Sequence, residues 1–173
     1  MNIVSALVSK EDGAAAAEMA LMVPLLIILM FGSLELGHYF WNEHKVVKAV
    51  RDGARFAGRQ SFSTFACTQG ATTTVSATSG KGLEIDNLVR FGKLNVVASV
   101  DQPIVRNWNA PVSIEVTCAP VATYSGIYKG MEATVPVVRV GATTTYPSLF
   151  GTLGFDSSSL NLVAESQSAV MGI

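Results

Sequence analysis

An apolar run from Met19 to Leu34, with the carboxylate of Glu18 at its mouth and the small-residue string Gly13-Ala14-Ala15-Ala16-Ala17 before it, limits what this chain can fold into more than any other feature. Ala14 to Leu34 is about 21 residues, and at about 1.5 Å each a helix of that length reaches roughly 31 Å, close to the hydrocarbon thickness of a bilayer. The segment therefore predicts one membrane crossing, and no second stretch of the chain qualifies. A carboxylate costs about 2.5–3.5 kcal/mol near the centre of a membrane helix and less toward its end, so Glu18 marks a partner or a function. Pro24 lies inside the run and withholds one backbone donor, which predicts a kink or local loosening in the preceding turn.

The patch from Gly13 to Glu18 is similar to the processing site of type IV prepilins, in which a peptidase cuts after a glycine and the fifth residue of the mature chain is glutamate. By that likeness the cut falls between Gly13 and Ala14, leaving residues 1–13 as a short leader. A secretory signal peptide is cleaved after its apolar stretch. Here the cleavage point precedes it, so the apolar segment is expected to stay attached.

The chain has 173 residues, a net charge of −1, 14% charged residues and a mean hydropathy of +0.39. That suits a membrane anchor plus one domain of modest core, and offers no electrostatic footprint for nucleic acid. Orientation is contested within the sequence. Lys10 is the one basic side chain before the run, next to Glu11 and Asp12, whereas Lys45, Lys48, Arg51, Arg55 and Arg59 follow it. A count of positive charges puts the C-terminal side in the cytoplasm, whereas the processing motif puts it outside; long domains can cross regardless of charge, and the expectation follows the motif.

No proline or turn cluster interrupts residues 33–59, so the helix is expected to continue past the membrane. At 100° per residue Lys45, Lys48, Asp52, Arg55 and Arg59 share one face, while Val46, Val47, Val50, Ala54 and Ala57 form another, an apolar side free to cover a sheet or a neighbouring subunit. The basic face is read as solvation, since exposed pairs such as Asp52 with Lys48 or Arg55 give only about 0.3–0.5 kcal/mol each.

Gly13, Glu18, Pro24, Gly32, Glu35 and Gly37, followed by Arg51-Asp52-Gly53-Ala54-Arg55-Phe56-Ala57, resemble in order and spacing the TadE-like pseudopilins of the tight-adherence (Flp) pilus apparatus. The resemblance covers about residues 13–57. It implies that Glu18 of one subunit neutralises the α-amine exposed at Ala14 of another, with Pro24 and Glu35 also serving subunit assembly. Against this stands a plain physical reading, in which Glu18 sits at the headgroup boundary as an acid favoured by the helix macrodipole.

Glu35, His38 and Asn42 are one turn apart and could be taken for metal ligands. One such pair lacks the additional inward carboxylates and histidines that helical metal sites use, so they are read as interfacial polar residues beside an aromatic belt of Tyr39, Phe40 and Trp41. No phosphate loop, nucleophile elbow or CxxC is present, and no histidine lies outside the anchor region. The expected protein is not an enzyme and uses no cofactor, metal or small-molecule substrate.

Beyond Arg59 the composition turns to Ser, Thr and Gly, and a small β-rich domain is expected over 61–173. Val112–Cys118 alternates apolar and polar residues, with Leu94–Val100, Val135–Tyr146 and Leu160–Ser166 as further strands. Lys81–Phe91, between Gly80 and Gly92, reads as a short helix. Cys67 and Cys118 either pair, closing a loop of about fifty residues worth roughly 3–4 kcal/mol, or remain structural thiols. Pro147-Ser148-Leu149-Phe150-Gly151 with Leu153-Gly154-Phe155 reads as a contact loop or as loop packing.

The expectation is thus an α+β protein: a transmembrane helix over 14–36, an amphipathic continuation over 37–60, and a small antiparallel sheet with one short helix packed on it. The resemblance implies a single-pass inner-membrane pseudopilin or minor pilin with its C-terminal domain extracytoplasmic. Its partners would be the bilayer, a prepilin peptidase, other pilins and the assembly platform. The competing expectation is an uncleaved, membrane-anchored extracytoplasmic binding module.

Overall fold

The computed structural model describes residues 12–65, 67–97, 99–120, 128, 134–151 and 159–172. The chain divides into two compact units, Met1–His38 and Tyr39–Ile173. Helix α1, Asp12–Gly58, supplies the described part of the first unit and runs on into the second. It is the one described helix long and apolar enough to cross a membrane, with a mean hydropathy of 2.2 in its most apolar window and none of that window buried. Met19 through Met30 and Leu34 expose their large side chains, an apolar surface that water does not tolerate and a hydrocarbon phase does. Ser33 returns its hydroxyl to the Leu29 carbonyl at 2.7 Å, so even this polar group is satisfied within the helix.

The second unit is built on four antiparallel strands in the order β1 (Thr72–Thr74), β2 (Ser113–Pro120), β3 (Thr134–Thr145) and β4 (Asn161–Ala169), with helix α2 (Gly80–Phe91) between β1 and β2. The fold is α+β, as expected. Period-2 alternation explains the sheet's two faces: Ile114, Val116, Cys118, Val138, Val140, Ala142, Leu162 and Ala164 are buried, while Ser113, Thr117, Arg139, Thr143, Val163 and Glu165 are exposed. The buried set joins Val46, Val50, Ala54 and Ala57 of α1 and Ile85 and Val89 of α2 in one core cluster. Burying each Val, Leu or Ile this fully contributes about 1.5–3 kcal/mol. The apolar face expected of the second half of α1 is therefore the face that covers the sheet; Val47, at its margin, is half-buried.

Helix α2 ends at Gly92, whose φ of 74° is the left-handed cap conformation, with its N–H donating to the Leu88 carbonyl at 2.9 Å. The expected strand at Leu94–Val100 is not one. Among its described residues the chain makes a turn, in which the Val100 and Asp101 amides both donate to the Val97 carbonyl at 2.9 Å. Asp101 ties the turn by accepting the Val97 N–H at 2.8 Å and a bond from Lys93 Nζ at 2.5 Å. Leu94, Val97 and Val100 stay exposed, so the apolar composition that mimicked a strand is not balanced by a buried face.

Candidate functional site

The Gly13–Ala14 peptide bond lies close to Asp12, the first described residue of α1. Glu18 is exposed and pairs with no described residue. Ala14 and Glu18 are four residues apart, so they share a helix face with an axial rise of about 6 Å. Gly32 and Gly37 face open space, with no heavy atom within 4 Å of where a Cβ would stand.

Glu35 and His38 are partly buried, and both are engaged in interactions within the structure. No group of three or more metal-capable side chains occurs among the described residues. Asn42 departs from the expected interfacial role: it is buried in the second unit. The aromatic run is divided too. Tyr39 packs edge-to-face on Tyr146 at a centroid separation of 5.2 Å, while Phe40 and Trp41 are exposed and Lys45 Nζ lies 5.5 Å from the Trp41 ring centre.

In Arg51–Ala57 the structure separates two jobs that the motif interleaves. Gly53, Ala54 and Ala57 are buried, and a Cβ on Gly53 would collide with Val89 Cγ2 and come within 3.8 Å of Val140 Cγ1. Small residues here let α1 approach α2 and the sheet closely. One turn on, a Cβ on Gly58 would run into Ser168 Oγ of β4. Arg51 and Arg55 point outward; Arg55 lies 3.9 Å from Asp52, a pair exposed enough to contribute little.

Beside this segment Lys45, Lys48, Ala49 and Asp52 of α1, with Leu88 of α2, Gly92 and Ile104, line an open groove of about 510 Å³. It holds no nucleophile–base pair and no acid pair. Cys67 and Cys118 are joined as a disulfide with Cα atoms 5.5 Å apart. The Gly70 amide donates to the Cys118 carbonyl and the Cys118 amide to the Ala71 carbonyl, so the bridge continues the short β1–β2 ladder.

The sequence reading missed Asp86, Arg90 and Trp108. Asp86 accepts Arg90 NH1 at 3.1 Å and the Val112 amide at 3.0 Å, and Arg90 NH2 donates to the Trp108 carbonyl at 3.0 Å. The i,i+4 spacing of Asp86 and Arg90 was readable; their burial depends on partners distant in the chain. The Leu153-Gly154-Phe155 part of the apolar loop lies outside the described residues.

Taken together, these features define a protein with one membrane-capable N-terminal helix that continues into an α+β domain. Residues 13–55 match the family model described as TadE-like protein, so the family resemblance read from the anchor and its motif holds over that segment. No curated protein and no solved structure matches the chain. The matched segment ends within α1, and the sheet lies beyond it.

Proposed function

We propose that this protein is a membrane-anchored pseudopilin or minor pilin that acts in assembly of a tight-adherence pilus, after a prepilin peptidase has cut between Gly13 and Ala14. The observation that carries the reading is the TadE-like match over residues 13–55, whose first residues are the glycine and downstream glutamate of the processing pattern. Glu18 supports it, being exposed and without a partner among the described residues. Cleavage would create an α-amine at Ala14, a cation suited to Glu18 of a neighbouring subunit in a low-dielectric surrounding. The protein works by association, and its partners are the bilayer, the peptidase, other pilins and the platform in the inner membrane.

The disulfide supports an extracytoplasmic position for the domain, since such bonds persist in oxidising compartments. The basic run from Lys45 to Arg59 pulls the other way, and translocation of a long domain overrides it in this reading. The test is the intact mass and N-terminal sequence of the protein from membranes with and without the peptidase of its own system. The expected result is an N-terminus at Ala14 that depends on the peptidase. A chain that starts at Met1 in both membranes replaces this reading with that of an uncleaved anchored binding module.

A further inference from the structure

Tyr39 is the first residue of the second unit, and Leu34, the last residue of the apolar run, precedes it by five positions. Five helical residues rise about 8 Å, close to the depth of the headgroup layer on one side of a bilayer, about 5–8 Å. The part of the second unit that stands beside Tyr39 is therefore held at the level of the lipid headgroups when α1 crosses a membrane.

The sheet identifies that part. A Cβ on Gly53 of α1 would stand 3.8 Å from Val140 Cγ1 of β3, and Tyr39 packs on Tyr146 with ring centres 5.2 Å apart. Between these contacts β3 advances from 140 to 146 at about 3.3 Å per residue, while α1 goes back from 53 to 39 at about 1.5 Å. Both paths cover roughly 20 Å, so the two elements run side by side in opposite directions. The end of β3 and the start of β4 thus lie where the chain enters the unit, and there the Tyr146 amide donates to the Leu160 carbonyl at 2.8 Å.

Large apolar side chains are exposed at this end. Leu149 and Leu160 of the β3–β4 connection are 48% and 51% exposed, and Phe40 and Trp41 of α1 are 49% and 63% exposed. Phe40 extends the ring contact, lying edge-to-face on Tyr39 at 5.8 Å. No charged residue occurs from Val140 to Gly151. At the opposite end of the unit the Met171 amide donates to the Gly58 carbonyl at 2.7 Å, and the chain continues from Gly58 through the exposed Arg59 and Ser61.

We propose that the β3–β4 connection is a second membrane contact: Leu149 and Leu160 enter the interfacial layer of the bilayer beside α1, with Phe40 and Trp41 completing the apolar rim. Lipid is the occupant because the crossing of α1 brings this rim to the headgroup layer, where aromatic rings are favoured and exposed apolar surface leaves water. The rim carries no charge between Val140 and Gly151, so zwitterionic lipid suffices. A second contact limits how far the domain can swing away from the bilayer.

The inference rests on α1 crossing a membrane and on neither cleavage nor pilus assembly, so its failure leaves those readings standing. Its test uses the full chain with its disulfide intact, at one copy per phosphatidylcholine nanodisc. A nitroxide is attached through Leu149→Cys, Leu160→Cys or, as the aqueous reference, Met171→Cys. Accessibility to oxygen, which concentrates in lipid, and to a water-soluble nickel chelate gives the depth of each label. The labels at positions 149 and 160 should lie about 5–10 Å inside the headgroup surface, and the label at position 171 should be in water. All three substitutions fall on exposed side chains, and thermal melts of the labelled chains should match the natural protein. Labels at 149 and 160 that meet the nickel chelate as freely as the one at 171 overturn the proposal. So do labels shielded from both reagents, which would assign this surface to a protein contact.

Discussion

Asp86 is 4% exposed, and its two oxygens are divided between Arg90 and the Val112 amide. Arg90 in turn donates to the Trp108 carbonyl, so a pair of side chains on α2 holds both ends of the segment that leads into β2. The Arg90 side chain is only 17% exposed, which makes an unpaired guanidinium there costly. Removing one partner of a buried ion pair typically costs about 3–5 kcal/mol, because the other charge is left uncompensated. Asp86→Ala is accordingly expected to lower the unfolding free energy by about 3–5 kcal/mol. Asp86→Asn keeps an acceptor for Val112 and is expected to lose less. Denaturant midpoints in micelles measure both, and a change below about 1 kcal/mol for Asp86→Ala would remove the pair from the account of stability.

The turn after α2 shows how one element can be misread and what its real determinant predicts. Leu94, Val97 and Val100 give an apolar composition with strand character, but a strand needs a partner and a buried face, and here Asp101 organises a turn with those side chains outward. Where alternation was clean, in β2, the pattern led to the right element because burial on one face enforces it, while β3 and β4 alternate over only part of their length. β1 is three consecutive threonines and carries no alternation to read. The Arg51–Ala57 string was visible as a motif, yet its division into buried small residues and outward arginines rests on Val89 and Val140, far away in sequence. The Asp101 carboxyl is held below its ordinary value first by the hydrogen bond from Lys93 and then by that from the Val97 amide, against a smaller opposing effect of burial. A depressed carboxyl stabilises the fold above its unfolded pKa of about 3.9 and loses that contribution as pH falls through the lower folded value. The turn is therefore expected to hold from neutral pH down to about pH 4 and to loosen below it. The Val97 amide resonance should titrate with an inflection below that of a free aspartate, and Asp101→Asn should abolish it. An inflection above that of free aspartate refutes the assignment.

At the scale of the whole molecule the disulfide links stability to the side of the membrane on which the domain resides. Cys67 and Cys118 are separated by 51 positions, and closing a loop of that size restricts the unfolded chain by about 4 kcal/mol in the chain-entropy model. The bridge joins the segment after α1 to the end of β2, so it anchors the sheet edge that has only β1 to complete it. Cys67→Ala with Cys118→Ala is expected to lower stability by about 2–4 kcal/mol, and reductant should bring the natural protein to the same level. The same bond makes two conflicting signals in the sequence testable. Lys45, Lys48, Arg51, Arg55 and Arg59 argue for a cytoplasmic domain, where reducing conditions keep thiols free, whereas the processing motif argues for the outside, where the bridge persists. Cells quenched in acid and denatured with a maleimide, without reductant, should yield unlabelled protein, with both cysteines labelled only after reduction. Labelling before reduction would put the domain in the cytoplasm and let the basic run prevail over the motif. It would also remove the disulfide from the protein's stability in the cell.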